Sequence, residues 1–518
     1  MPREVRGVPQ QTVSATTLAH VDDPVYVSEL PDSLARPDAH DKTDKQDDDT
    51  QWEFDPSNPR NWSALKKWTA TTLVSFYTFL APLGSSMMAP GLPDIALRYH
   101  ITNPTVLALT LCVFLLSLAV GPLFIAPLSE MYGRVWVLHV GNLVFLIFNL
   151  ACALAPTAGT FVGFRFLAGF AGSTPLAIGG GVISDLFAER DRASAMALYT
   201  MGPLIGPAIG PVIGGFISQS VGTQYVFYLI TGLCGLAAVL AIPLLRETYA
   251  PFIRLRKSKH PTDPEKKAAA HTSAPQVPAN KWNYLWVNIS RPMLILTRSF
   301  ICFVLSLYMI AASAIYYLMF ATFPNLFSEV YHWSVGIGGL AYVGLGIGFL
   351  LSALLGAKIS DKLYSRLVAK NDGRGKPEMR VPALIFGSFF VPVGLLWYGW
   401  SAQAGIHWIM PIIGTSIYGF GLMTTFLPIQ LYLVDAFVYS ASAIAAASFF
   451  RSFLGFVFPL FGEQMFNALG YGWGNTLLGG LAIVIGIPFP IWIYYAGERI
   501  RSRSALFQRP AESAGCLA

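Results

Sequence analysis

RETYAPFIRLRKSKHPTDPEKK, residues 246–267, opens the one long polar interruption in the apolar part of this chain. The interruption runs to about Thr297, carries Arg254, Arg256, Lys257, Lys259, Lys266 and Lys267, and holds no stretch able to cross a bilayer. Apolar stretches long enough to cross roughly 30 Å of hydrocarbon recur on both sides of it. Before it they fall at 67–90, 104–128, 135–155, 159–184, 194–218 and 223–245. After it they fall at 298–325, 334–357, 381–400, 406–431, 440–467 and 473–496, the first and fifth of these long enough to tilt or bend. The reading is an all-α integral membrane protein with 12 transmembrane helices in two six-helix halves. Its units are a disordered cytoplasmic tail over 1–65, a bundle over 66–245, a cytoplasmic central loop over 246–297, a second bundle over 298–496, and a cytoplasmic tail over 497–518.

Charge placement orients the bundle. Of 35 Lys and Arg, 32 fall on alternate connections, Arg98 alone falls on the opposite set, and Arg165 and Arg451 lie inside apolar stretches. Basic loops stay on the cytoplasmic side, so both termini and the central loop are placed inside. Hydrophobic residues make up 54% and charged residues 12%, against about 25% charged in a soluble domain, which excludes a soluble protein. The net charge of +6 therefore reads as topology, and no nucleic-acid partner is expected. Five scattered cysteines form no CxxC pair, so neither a metal site nor a disulfide framework is expected. The polar N-terminus carries no cleavable signal, leaving the first span as the insertion signal.

Several embedded residues can carry mechanism. In Gly202-Pro203-Leu204-Ile205-Gly206-Pro207-Ala208-Ile209-Gly210-Pro211-Val212-Ile213-Gly214, glycine and proline both recur every four residues. A stripe without side chains admits a close neighbour helix, and repeated Pro bends a helix. The motif reads either as plain packing or as a bent element on which the two halves rock. Arg165 and Arg451 are costly in lipid and by default mark a functional site, with snorkelling or a carbonyl bond as the plain alternative. Glu463, Asp94 and His139 are candidates for proton exchange, each of which an interfacial role would equally explain. On the cytoplasmic face, Glu130 with Gly133 and Arg134, Asp185 with Arg190 and Arg192, and Asp361 form a candidate gate. The pairs Glu130/Arg134 and Asp185/Arg190/Arg192 could close that face by salt bridges, or be solvated loop charges. The halves echo one another here, through Ser129-Glu130 with Arg134 and Ser360-Asp361 with Arg366. The sequence alone does not say which of Phe76, Tyr77, Tyr308, Tyr316, Tyr317, Tyr342, Tyr418 and Phe420 face a cavity.

No GxxxxGK[ST], HExxH or GxSxG occurs, so neither an ATP motor nor an enzyme is expected and no catalytic residue is assigned. These residues resemble the major facilitator superfamily, and within it the fungal twelve-helix drug:proton antiporters, from about Asn58 to Glu498. Asn58-Pro59-Arg60-Asn61-Trp62-Ser63 is similar to that group's approach to helix one, and Pro127 to Arg134 to its loop between helices two and three. The 202–214 stripe resembles its antiporter motif, and Arg246 to Pro251, Lys376-Pro377-Glu378 and Tyr471 to Leu477 add agreement. The chain departs from the pattern at Met131, Val135 and Trp136, where further basic residues are usual, and helices one and four lack an acid to carry protons.

The resemblance implies a major facilitator fold working by alternating access. It also implies export of a small amphipathic organic substrate, a drug, secondary metabolite or toxin, against protons, with no cofactor beyond the proton gradient. A monomer in the lipid bilayer of the plasma membrane is expected, with the vacuolar membrane as the alternative. Arg165 would be the binding or coupling centre, supported by Arg451, Glu463 and Asp94. A dedicated carrier of a nutrient such as a polyamine or sugar, or a transport-dead sensor, are the other readings.

Overall fold

The computed structural model describes residues 52–188, 191–259, 281–371, 375–437 and 440–501. Regular structure among them is helical throughout. Ten helices are long and apolar enough to cross a membrane, the last of them the 59-residue Ala443–Arg501. Gly470 breaks that one, at φ 75° and ψ 167°, a conformation only glycine adopts cheaply. Dividing it there and adding the 23-residue Ala64–Ser86 brings the ten to the twelve spans anticipated.

In chain order these are α1 (Ala64–Ser86), α2 (Pro104–Tyr132), α3 (Arg134–Ala153), α4 (Ala158–Leu186), α5 (Arg192–Ser220), α6 (Gln224–Leu244), α7 (Phe300–Tyr331), α8 (Val335–Lys370), α9 (Val381–Gln403) and α10 (Ile409–Ala436). The last two are α11 (440–469) and α12 (471–501). Local chemistry starts them. Asn103 accepts from Thr105 N at 2.9 Å with Pro104 in the first turn of α2, Thr157 and Thr160 form a capping box on α4, and Ser299 caps α7 through Cys302 N. Each side-chain cap satisfies a backbone N–H that lipid could not.

Three departures from regular helix have local causes. The turn between α2 and α3 is a single residue, Gly133, at φ 92°. In α8 a π-turn over Ser352–Gly356 inserts an extra residue per turn, and Ser352 Oγ lies 2.8 Å from Thr424 Oγ1 of α10 there. In α11 a 3-10 turn at Phe458–Phe461, carrying Pro459, bends the long helix that the sequence anticipated as bent.

One buried apolar cluster lies wholly among residues 70–245, a second among 295–493, and a third draws on both halves. Within the first half α1 packs on α5, α3 on α6 and α2 on α4; within the second, α9 packs on α10 and α12. Across the halves α2 meets α11, and α5 meets α8.

The boundaries differ from expectation in four places. Within the tail assigned to 1–65, Pro59–Asn61 forms a 3-10 turn capped by the buried Asn58. Within the central loop, Ala250–Lys259 and Lys281–Arg298 are helical, and Ile295 and Leu296 are buried. The eighth span continues to Lys370 as helix, beyond the expected 357, because Ala357–Lys370 is amphipathic enough to run on past the bilayer. The twelfth continues to Arg501, where ion pairs described below hold its end.

Candidate functional site

A cavity of about 130 Å³ lies where the halves meet, walled by α1, α2, α4 and α5 on one side and α7 and α11 on the other. Leu111, Leu115, Leu118, Leu176, Phe320 and three prolines give it an apolar lining. Its polar lining is Ser85, Ser86, Cys112, Tyr316, Tyr317 and Arg451. Small-molecule pockets usually run from roughly 300 Å³, so this conformation is contracted around the cavity.

Among the described residues Arg451 is the only charged side chain in that lining. It stands over the Phe426 ring at 5.2 Å, its Nε has no hydrogen-bond partner, and the Tyr316 and Tyr317 hydroxyls lie within its electrostatic reach. Tyr316 and Tyr317 pack edge to face with centroids 4.9 Å apart. Of the eight aromatic positions singled out from sequence, these two are the cavity's. Tyr308, Tyr342 and Tyr418 are packed into the second half at 1% exposure or less.

Arg165 does not line this cavity. It sits in α4 at 0% exposure, behind Phe114, whose ring lies 4.6 Å from the guanidinium carbon. Nη1 donates to the carbonyl of Gly84 in α1 at 3.1 Å, while Nε and Nη2 have no partner. Snorkelling is therefore ruled out for it; it ties α4 to α1 inside the first half.

Asp94 and Glu463 lie at the end of the bundle away from Arg134 and Arg380, outside the cavity lining. Asp94 belongs to the short helix Leu92–Arg98, where Oδ2 accepts from Thr223 Oγ1 at 3.0 Å and Arg98 Nη1 donates to Gln224 Oε1 at 2.9 Å. These bonds pin the short helix to the start of α6. Glu463 faces Glu329 at the outer end of α7. His139 is buried against α1, its Nδ1 3.2 Å from the Tyr77 hydroxyl.

The residues read as a cytoplasmic gate assemble differently from the pairs read in the sequence. Arg134 turns to Asp185, Nε to Oδ2 at 2.6 Å, with both side chains under 20% exposed. Glu130 instead is exposed at the end of α2, because helical geometry carries it off the face that Arg134 shares with α4. Thr248 Oγ1 donates to the same Asp185 oxygen at 3.4 Å, and the Arg134 guanidinium lies 4.9 Å from the Tyr249 ring centroid. Glu247 completes the knot by accepting from the backbone N–H of Arg134, Val135, Thr248 and Tyr249 at 3.0–3.1 Å. It fits only because Gly133 has no side chain: a Cβ there would stand 2.5 Å from Glu247 Oε2. Arg190 lies outside the described residues, and Arg192 heads α5 with its Nε unpartnered.

The second half repeats the knot. Arg380 at the start of α9 reaches Asp435 at the end of α10, Nε to Oδ2 at 3.4 Å, over the Tyr364 ring at 3.7 Å. Asp361, the acid expected here, is exposed and only 4.0 Å from Arg380 Nη1. Buried Glu378 takes Arg501 through two bonds of 2.8 and 3.0 Å, and Lys376 takes Glu498 at 2.9 Å. Sequence reading did not single out Glu247, Arg380, Asp435 or Arg501 for this role. The signal that could have found the aspartates is Asp185-Leu186-Phe187 at the end of α4 and Asp435-Ala436-Phe437 at the end of α10. Both knots lie within one half each, so they brace a bundle rather than bridge the two.

The glycine stripe of α5 also works inside one half. Side chains added at Gly202, Gly206 and Gly210 would meet Phe79, Leu83 and Ser86 of α1, and one at Gly214 would meet Met87, the residue that caps it. Pro203 and Pro207, one residue on, face the cavity. The face of α5 that meets α8 is a third one, with Ala208 against Gly346, Pro211 against Gly339, and Gly215 against Val335 and Gly336. Rocking of the halves would therefore use these residues and not the stripe.

At the end of the bundle away from Arg134 and Arg380, the two halves are joined by hydrogen bonds. Gln219 Oε1 accepts from Ser334 Oγ at 3.1 Å and Gly336 N at 2.8 Å, and Gln464 Nε2 donates to Thr105 Oγ1 at 2.9 Å.

A dozen apolar helices in two halves, with a cavity between them and acid–base knots under each, define a transporter-type membrane protein. Residues 74–459 match the Major Facilitator Superfamily profile, and the chain belongs to that superfamily of transporters. It is 43% identical over 454 residues to "MFS transporter cpaT" of Aspergillus oryzae, covering 87% of this chain and 90% of that one. It is 44% identical over 450 residues to "MFS-type transporter penM" of Penicillium rubens, covering 86% and 88%. To "Efflux pump radE" of Floropilus chiversii it is 41% identical over 450 residues, covering 86% and 83%. Among solved structures, the xylose transporter XylE from E. coli in a partially occluded inward open conformation aligns with TM-score 0.59 at 15% identity, over 83% of this chain and 98% of that one.

Proposed function

We propose that this protein exports amphipathic organic molecules, secondary metabolites or drugs, by alternating access, using the inward proton gradient. The observation that carries this reading is the cavity itself: eight Leu, Pro and Phe residues beside six polar ones, between halves joined at one end. Such a lining holds cargo by apolar area, with a small number of polar contacts to orient it. Relatives named as efflux pump and as transporters, at 41–44% identity, support the same direction.

The nutrient readings fit less well. A polyamine would meet Arg451 and no lining carboxylate, a like-charge contact. A sugar needs many hydrogen-bonding partners, whereas Ser85 and Ser86 already donate to backbone carbonyls at 2.8 and 3.1 Å. With no lining acid, proton coupling falls to groups outside the cavity, and Glu463 and Asp185 are the acids we assign to it. The protein works as a monomer in the plasma membrane on this reading.

The test is accumulation of a fluorescent amphipathic dye in cells with and without this chain. Expression is expected to lower accumulation several-fold, and a protonophore to restore it. Unchanged accumulation of a broad panel of dyes removes the export reading, and export that survives the protonophore removes the coupling.

A further inference from the structure

The cavity holds a cation and nothing to balance it. Arg451 brings five N–H donors into a lining of Leu, Pro and aromatic side chains, and no Asp, Glu or His is among the described residues that line the cavity. A guanidinium in apolar surroundings is costly until an anion joins it, and its planar fork is matched by a carboxylate that accepts two parallel bonds. Nearby hydroxyls do not serve as that anion: Ser85 and Ser86 donate to their own helix, and Tyr316 and Tyr317 are phenols. None of the described lining residues supplies the counter-charge, which leaves that role to what enters the cavity.

We propose that the cargo is an amphipathic weak acid, an organic anion whose carboxylate docks on Arg451 while its apolar body lies against Leu111, Leu115, Tyr316 and Phe320. This rests on the export reading for its biological sense and narrows it to one chemical class. Cationic amphipaths are disfavoured by the same charge. An inside-negative membrane potential also favours outward passage of an anion.

Three probes of one shape test this on purified full-length protein in nanodiscs of neutral phosphatidylcholine, which exclude anionic headgroups as competitors. They are anthracene-9-carboxylate, its methyl ester and 9-(aminomethyl)anthracene, with bound probe read by its own fluorescence after equilibrium dialysis. The carboxylate is expected to bind about tenfold or more tighter than the ester and the amine, as a charge-assisted pair would give. Arg451→Gln is expected to lower carboxylate affinity to that of the ester, and Arg451→Lys to keep part of the preference. Equal binding of the three probes by the unaltered protein, no binding of the carboxylate, or an unchanged carboxylate affinity in monodisperse Arg451→Gln would each overturn the proposal. The wild-type ranking needs no variant to fold. Dye export in cells that persists alongside equal probe binding would keep the export reading and remove this one, and the reverse pattern would do the opposite.

Discussion

Arg165 and Arg451 are both lone cations in apolar helices, and their surroundings separate them. Arg451 opens on the cavity, whereas Arg165 is sealed behind Phe114 with one hydrogen bond, to Gly84, and two unpartnered nitrogens. A lone buried charge with unpartnered nitrogens carries a desolvation cost that an apolar side chain of similar length does not. Arg165→Met is therefore expected to leave the melting temperature unchanged or raised. If Arg165 also works in transport, the same variant loses dye export at matched surface expression; full export with a raised melting point reduces it to a packing residue. At the cytoplasmic face, Arg134→Ala with Asp185→Asn should show a coupling energy of roughly 1–3 kcal/mol in a double-mutant cycle on unfolding. A coupling near zero would mean the 2.6 Å pair contributes nothing, leaving the Arg134 guanidinium its contact with the Tyr249 ring. Arg134 was legible as a loop cation; that it would choose Asp185, 51 residues on, over Glu130 four residues back was not. Only packing of α4 against α2 and α3 brings that acid to it.

Among the elements, α5 carries the clearest contrast between helix propensity and packing. Gly→Ala in a helix gains about 1 kcal/mol of propensity where the site has room. Gly232 of α6 has nothing within 4 Å of an added Cβ, so Gly232→Ala is expected to raise the melting temperature slightly. At Gly214 the added carbon would overlap the carbonyl oxygen of Met87, the cap of α1, and helix backbones cannot yield without separating. Gly214→Ala should cost about 1–3 kcal/mol net and show as a lowered melting point and reduced surface expression. If the two variants behave alike, the close contact of α5 with α1 is wrong. Glycine at every fourth residue announced a close neighbour; it did not say which one, and the neighbour proved to be α1 of the same half.

Across the whole molecule, the outer ends of the halves hold this conformation through Gln219 and Gln464. Gln219→Ala removes two hydrogen bonds worth about 1–2 kcal/mol together, which shifts a two-state balance by roughly tenfold. With Cys112 as the sole cysteine, that variant is expected to react about tenfold faster with a membrane-impermeant maleimide applied from outside, since Cys112 lines the cavity. An unchanged labelling rate would place the outer closure elsewhere, on α2 and α11.

Twelve spans and two halves were readable from the chain because they depend on a local quantity, runs of apolar residues against bilayer thickness. The choice of neighbours was not local. Which aromatics face the cavity, which acid meets Arg134 and Arg380, and which face of α5 meets α8 depend on helix rotation and tilt. Those are set by side chains tens or hundreds of residues apart, as Gln464 and Thr105 show across 359 positions. Periodicity in one helix carries no information about the helix it will touch, so these pairings emerged only once all the helices were packed together.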